Sequence, residues 1–430
     1  MSRLSRPLTL AAVSLAALVA AQGGAQAGGF AIREQSATAQ GLSFAGAASG
    51  SGYLSSMFWN PAAITMMPGW QTDASLSLIV PRVDINPLPS VPTFALGGSG
   101  DIGQDALVAA SYNSYQINDM LWVGLSATSP YGLVTDPRDN WSGQVYSRSS
   151  RVFSVNVNPV VGVKLNDWFS VAVGPSLQYF DIKLKRAAGV APGAPSVILD
   201  GDDIGFGFTA GVTITPFAGT TIGLGYRSRI EHGLEGTVSI PGPTGIIPIS
   251  SDLSTPDQLT LGISHAFTPA LTVHAGFEWT NWSILETPLV TGPGGVVVTD
   301  LPLNYDDGYF YSLGFDYKLN DQLTLRAGLA YEESPIDTNI RSTRLPDNDR
   351  IWASVGASYQ WNNKLSFDLA YTHIFTKETD IRIVPGHQDF EGLPFLADVD
   401  ASTDIVTVGL RYRWDDPVVA IPAAPIVRKY

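Results

Sequence analysis

Few residues in this chain stand in arrangements that could do chemistry. The five histidines, His232, His265, His274, His373 and His387, fall on separate segments without metal-ligand spacing. Neither a G-x-S-x-G nucleophile elbow nor an H-E-x-x-H zinc motif is present. There is no cysteine, which excludes thiolate metal sites, disulfides and cysteine nucleophiles. Gly292-Pro293-Gly294-Gly295 lacks the strand–turn–helix setting and the Lys-Ser/Thr ending of a phosphate loop. The acids of Gly201-Asp202-Asp203 and Asp347-Asn348-Asp349 read as solvated turns in preference to calcium ligands. Lys183 and Lys185, two apart and followed by Arg186, share a strand face and read as a cationic rim suited to anionic lipopolysaccharide. No cofactor, no metal and no catalytic activity are expected. Binding remains, and a net charge of −14 makes nucleic acid a poor partner.

The elements that hold such residues begin after an export signal. Arg3 and Arg6, the apolar run 8–21 and Ala25-Gln26-Ala27 have the basic, hydrophobic and small-residue regions of a secretory signal, so 1–27 is expected to be a signal peptide. Beyond it no apolar run approaches 18 residues, which removes helical membrane spans. The Gly and aromatic content points to β-structure, as a soluble periplasmic protein or an outer-membrane barrel.

Strand periodicity separates those two classes. In "DIVTVGLRYRW", Val406, Val408, Leu410, Tyr412 and Trp414 share one face, and Thr407, Gly409, Arg411 and Arg413 share the other. An arginine facing lipid at the bilayer midplane costs about 2–4 kcal/mol, so the arginines must point into a lumen. Residues 271–279 and 365–372 alternate in the same way and end in Tyr or Trp, as an interfacial girdle does. Strands are expected near 71–85, 105–117, 121–134, 145–165, 168–186, 202–216, 221–240, 257–267, 271–287, 304–319, 323–335, 348–361, 365–382 and 401–414. That is an even number, fourteen, as bacterial barrels have. Tight polar turns near 118, 166, 320 and 363 alternate with longer segments near 86–104, 135–144, 187–201, 241–256, 288–303, 336–347 and 383–400, which read as extracellular loops.

A lumen inside fourteen strands is wide enough to need a plug. Residues 28–69, rich in Gly, Ala and Ser, are the candidate hatch. Its end carries Asn60-Pro61-Ala62, an N-cap followed by proline at the first helical position. The barrel is expected over 70–414, followed by a Pro-rich periplasmic tail at 415–430. One strand is unusual: "GLSATSPYGLV" (124–134) places Pro130, which cannot donate to a ladder, and Gly132, which permits a bend, on either side of Tyr131.

Taken together, "GGF" at 28–30, "NPAAIT" at 60–65, "SPYGL" at 129–133, "VNVNPVVGVKLNDWFSVAVGPSLQY" at 155–179, "GDDIGFGFTAGV" at 201–212, "LGYRSRIEHGLEG" at 224–236, "LRAGLAYEESPI" at 325–336, "LPDNDRIWASVG" at 345–356 and "DLAYTHIF" at 368–375 are similar to the FadL-type outer-membrane transporters of long-chain fatty acids and other hydrophobic compounds. The resemblance implies a monomeric fourteen-stranded outer-membrane β-barrel with an N-terminal hatch, and a third strand bent inward at Pro130, Tyr131 and Gly132 to open the wall. It implies that Phe30 and Tyr131 contact a hydrophobic ligand, and that Lys183 or Lys185 reaches a fatty-acid carboxylate. Ligand would be captured at the loops, pass to an apolar lumenal pocket and leave sideways into outer-membrane lipid. Fatty acids and aromatic hydrocarbons both stay open as substrates, and a general porin or structural barrel is the remaining alternative. Asp306 stands where some fatty-acid members carry a lysine, so one carboxylate partner is missing.

Overall fold

The computed structural model describes residues 28–50 and 52–415. The expected signal segment, and the expected tail beyond Asp415, lie outside the described residues. Fourteen antiparallel strands form one closed barrel. The first six are β1 (Trp70–Pro87), β2 (Ala106–Gln116), β3 (Leu121–Thr128, resumed at Gly132–Thr135), β4 (Ser149–Asn166), β5 (Phe169–Ala187) and β6 (Ser196–Phe217). Two interrupted strands follow, β7 (Thr220–Arg227 and Ile230–Ile240) and β8 (Gly245–Thr255 and Gln258–Ala266). The wall continues with β9 (Leu271–Thr280), β10 (Gly308–Lys318), β11 (Leu323–Glu333) and β12 (Arg350–Gln360). It ends with β13 (Leu365–Thr376 and Thr379–Ile383) and β14 (Phe395–Arg413). β14 pairs with β1 from Gln71↔Arg413 to Pro87↔Ala397, which closes the ring.

The period of two sorts the faces as lipid requires. Val406, Val408 and Leu410 are 42%, 49% and 39% exposed, and Thr407 between them is fully buried. Arg411 points inward, its Nε 2.8 Å from Asp368 Oδ2. At the periplasmic rim Trp70 stacks on Trp414 with centroids 4.9 Å apart.

Two expectations about the outer half are corrected. Residues 241–256 do not form a loop: Gly245–Thr255 pairs with Ile230–Ile240 throughout, and the turn is confined to 241–244. Pro and Gly disguise the strand, but its far edge is largely unpaired, where a strand tolerates Pro248. Conversely, β9 stops at Thr280 instead of running to 287, because Asn281 N–H donates to Asp257 O and the chain turns inward through Trp282–Ile284. The acids at 201–203 and 347–349 are not solvated turns either. Asp202 and Asp203 lie within β6, where Asp203 meets His232 at 3.1 Å, and Asp347 is buried.

The segment 28–69 is buried almost throughout inside this ring. It is built from a short helix, α1 (Ala37–Gln40), capped by Ser36, and from 3-10 turns at Ala47–Ser49, Leu54–Phe58 and Pro61–Met66. Small residues let its backbone touch the wall, and the wall answers with glycine at matching register. Gly211 faces Gly225, Gly223 faces Gly262, Gly262 faces Gly276, and Gly314 faces Gly328. A Cβ at Gly225 would stand 1.7 Å from the Trp59 carbonyl oxygen, and one at Gly328 would stand 2.1 Å from Leu42. No side chain fits there.

Gly225→Val should therefore leave the barrel assembled but unseat the segment around Trp59. Limited proteolysis of membranes checks this: cleavage within 28–69 should accelerate while the barrel fragment stays resistant.

Candidate ligand-binding site

The site starts at a break in the wall. β2 pairs with β3 only from Gln116↔Trp122 to Ser111↔Ala127. Above that level β2 keeps β1 as neighbour up to Ile79↔Ala106 but, among the described residues, has no ladder partner on its other side until Gly103↔Thr135 bridges the chains again. The gap is made on the β3 side. Thr128 pairs with Asn156 and Gly132 with Phe153, so three residues, Ser129, Pro130 and Tyr131, span only two on β4. This is a bulge that carries Tyr131 inward to full burial.

The freed backbone groups of the bulge are taken up by protein. Ser154 Oγ accepts from Tyr131 N–H at 2.9 Å and donates to Tyr131 O at 2.8 Å. The N-terminal segment supplies a substitute strand: Ile32 N–H donates to Pro130 O at 2.8 Å, and Gly132 N–H donates to Phe30 O at 2.9 Å. Gln35 adds a third tie, its Nε2 donating to Ser129 O at 2.8 Å. A Cβ at Gly132 would lie 2.5 Å from Ile32 Cδ1, so a side chain there displaces the tip of Ile32.

Phe30 is the floor of a cavity of about 540 Å³ that lies above this junction. Its ring packs edge-on to Trp282 at 4.8 Å and Tyr131 at 5.9 Å, and lies 6.3 Å from Phe180. The walls are largely aliphatic, from Leu133, Val152, Ile182 and Leu184 to Val238 and Leu253. Tyr131 stands behind Phe30, its hydroxyl 3.4 Å from Pro256 O, and does not line the cavity.

Lys183 and Lys185 are corrected as cavity residues. Ile182 and Leu184 line the cavity, so by the period of two the lysines between and beyond them face outward, Lys183 beside Arg151 and Asp200. The cavity's cations are instead Arg186, which pairs with Glu391 at 2.6 Å, and Arg344. Arg344 Nη1 donates to Ser149 O, Ser150 Oγ and Lys185 O at 3.2–3.3 Å, and no carboxylate among the described residues lies within ion-pair distance of it. Burial lowers its guanidinium to about 10, so it stays charged at neutral pH. Burial pushes the nearby Asp389 carboxyl up to about 6; Arg344 opposes that rise and Glu391 adds to it.

The tip of the N-terminal segment is held by charge. Gly28 N–H donates to Glu332 Oε1 at 3.0 Å and Gly29 N–H to Asp347 Oδ2 at 3.1 Å. Arg33 reaches Glu278 at 2.9 Å and Glu332 at 3.4 Å, and Arg350 bridges Glu332 and Asp347. At the other end, Asn60 Oδ1 accepts from Ala62 N–H at 3.0 Å, ahead of Pro61, while its Nδ2 donates to Ala48 O and to Val212 O on β6 at 2.8 and 2.9 Å. One side chain caps the turn and ties it to the wall.

The family model for outer membrane protein transport proteins (OMPP1/FadL/TodX) matches residues 16–414. The chain belongs to this family. A long-chain fatty acid transport protein of Escherichia coli O6:H1 is 27% identical over 398 residues, covering 83% of this chain and 89% of its own. The crystal structure of a Pseudomonas aeruginosa FadL homologue superposes with a TM-score of 0.81 at 24% identity, covering 90% of this chain and all of that one. The Ralstonia pickettii toluene transporter TbuX superposes at 0.64 with 20% identity, covering 88% and 98%. The FadL/TodX barrel is thus the fold of this outer-membrane protein, and Arg344 and Asp389, both from loops, are polar residues of its cavity that simple strand patterning misses.

Their charges give a pH dependence of definite sign. Asp389 is ionised at pH 7.5 and offsets Arg344; at pH 5 it is protonated while Arg344 remains charged. A permanently anionic hexadecane-1-sulfonate should therefore bind more tightly at pH 5, by about tenfold, equivalent to about 1.4 kcal/mol. Asp389→Asn should hold the high affinity at both pH values. Titration calorimetry on the purified barrel checks both.

Proposed function

We propose that this protein is a passive conduit for long-chain carboxylic acids and similar hydrophobic molecules, which collect in the cavity above Phe30 and leave sideways through the gap between β2 and β3. The observation that carries the reading is the pair of backbone hydrogen bonds joining Phe30 and Ile32 to Gly132 and Pro130. The cavity floor and the edge of the wall gap are one hydrogen-bonded unit.

Size, lining and thermodynamics support it. A volume of about 540 Å³ falls within the ~300–1,000 Å³ of ordinary small-molecule sites. Burying each CH₂ contributes about 0.8 kcal/mol, so a sixteen-carbon chain gains roughly 10 kcal/mol in an apolar cavity. Release into aqueous periplasm reverses that gain, whereas lateral release into lipid keeps it. Arg344, a partly buried cation with no carboxylate at ion-pair distance among the described residues, favours a carboxylate head, and Asp389 tempers that preference when ionised. The long-chain fatty acid transport protein among its relatives agrees with that head group. The general-porin alternative is disfavoured by a lumen packed with residues 28–69.

Straightening the bulge tests the route. Pro130→Val with Gly132→Val should spare sulfonate or palmitate binding to the purified barrel but slow palmitate uptake by cells at least tenfold. Wild-type uptake through a barrel shown by crystallography to have a paired β2–β3 edge would move the exit elsewhere.

A further inference from the structure

The wall is interrupted a second time, on the far side of the cavity from the bulge. β8 pairs with β9 up to Gln258↔Thr280, and above that its edge is met again only at Ser250↔Thr291, by the short hairpin of Leu289–Thr291 and Val297–Asp300. Among the described residues, 251–256 have no ladder partner on this edge. Such an edge cannot face hydrocarbon, and it does not: it lines an open cleft of about 460 Å³ whose opposite wall is Ile284–Leu289. The cleft lies just above Trp279, Tyr226 and Tyr309, close to one another along the outer ends of their strands.

The cleft and the ligand cavity are separated by very little. A small apolar void of about 20 Å³ lies between them, lined by Ile182, Leu199, Leu301 and Val290 together with Ser251 and Leu253. Leu253 lines the cleft, the void and the cavity alike. This buried leucine is thus common to all three, with Ser251 shared by the cleft and the void. Beside it, Ser251 Oγ is shielded from solvent and has no hydrogen-bond partner, although it faces both the cleft and the void. An unpaired buried hydroxyl is costly unless something arrives to pair with it.

The lining also selects the guest. Its only charged residues are Asp252 and Glu286, and it has no Lys, Arg or His. Carboxylates are repelled there, whereas a hydroxyl can donate to the acids or pair with Ser251. Leu253, Ile284, Leu285 and Leu289 offer apolar surface for a hydrocarbon body. We propose that this cleft is a second ligand site and side entrance, taking neutral apolar alcohols and passing them by Leu253 into the cavity. The transfer step rests on the transport reading above; occupancy of the cleft does not.

Two probes separate the sites, 1-decanol for the cleft and hexadecane-1-sulfonate for the cavity. Thr287 lines the cleft alone. In Thr287→Trp, decanol affinity in nanodiscs should fall at least tenfold with sulfonate affinity unchanged, and Arg344→Ala should do the reverse. Because the chain has no cysteine, Ser254→Cys provides a unique thiol in the cleft. Decanol should slow its reaction with maleimide, and sulfonate should not. Unchanged decanol binding in Thr287→Trp, or no protection of the thiol, overturns the cleft site while leaving the transport reading intact. Failure of the wild-type barrel to bind sulfonate would instead strike the cavity and, with it, the transfer step.

Discussion

Every backbone donor and acceptor that crosses lipid must be paired within the protein, and the barrel follows from that demand. A strand that leaves its ladder is tolerable only where the freed groups meet protein or water. At the β3 bulge, Ser154 and the N-terminal residues Phe30 to Ile32 take up those groups, so the wall gap and the plug are solutions to one hydrogen-bonding problem. A change in one therefore changes the hydrogen-bond partners of the other. A lumen emptied of residues 28–35 would leave Pro130 O and Gly132 N–H without their partners.

Seating the plug needs close approach as well as pairing. A ring of inward glycines at matching register lets the backbone at Leu42, Ala48 and Trp59 lie against the wall, and several lumenal acids pair with arginines, as in Arg411–Asp368 and Arg326–Asp316. Paired ions surrounded by packed backbone make a poor aqueous channel. The open volume is displaced upward, above Phe30, where side chains are aliphatic and the polar groups come from the loops.

The sequence makes the repetitive part of this legible. Alternation located fourteen strands and the lumenal face of Arg411, and the Asn60-Pro61 cap is a local signal that a local turn obeys. Parity is less forgiving. The cationic side chains at 183 and 185 fall on the outer face because Ile182 and Leu184 take the inner one, and pattern alone does not say which face of a two-sided hydrophobic strand is inside. The β7–β8 extension was hidden by Pro and Gly, which mark loops only when no neighbouring strand accepts them at an edge. Asp347, Trp282, Arg344 and Ser251 acquire their surroundings from residues far away in the chain, so spacing carries no trace of them. The inward glycines were visible as letters, but their shared level around the ring exists only once the strands are in register.

The strength of the junction between floor and gap sets what a passive device can do. Two backbone hydrogen bonds join Phe30 and Ile32 to the bulge, each contributing net about 0.5–1.5 kcal/mol. Displacing Phe30 also breaks its contacts with Trp282 and Tyr131, where aromatic pairs add about 0.5–1.5 kcal/mol each. These four contacts together resist displacement by about 2–6 kcal/mol, below the roughly 10 kcal/mol that burial of a sixteen-carbon chain supplies. Small solutes with one or two CH₂ groups gain too little to move the floor, and no external energy source is required for a molecule that gains enough. On the lateral route proposed above, selectivity for long apolar molecules follows from the stiffness of the junction as much as from the shape of the cavity above it.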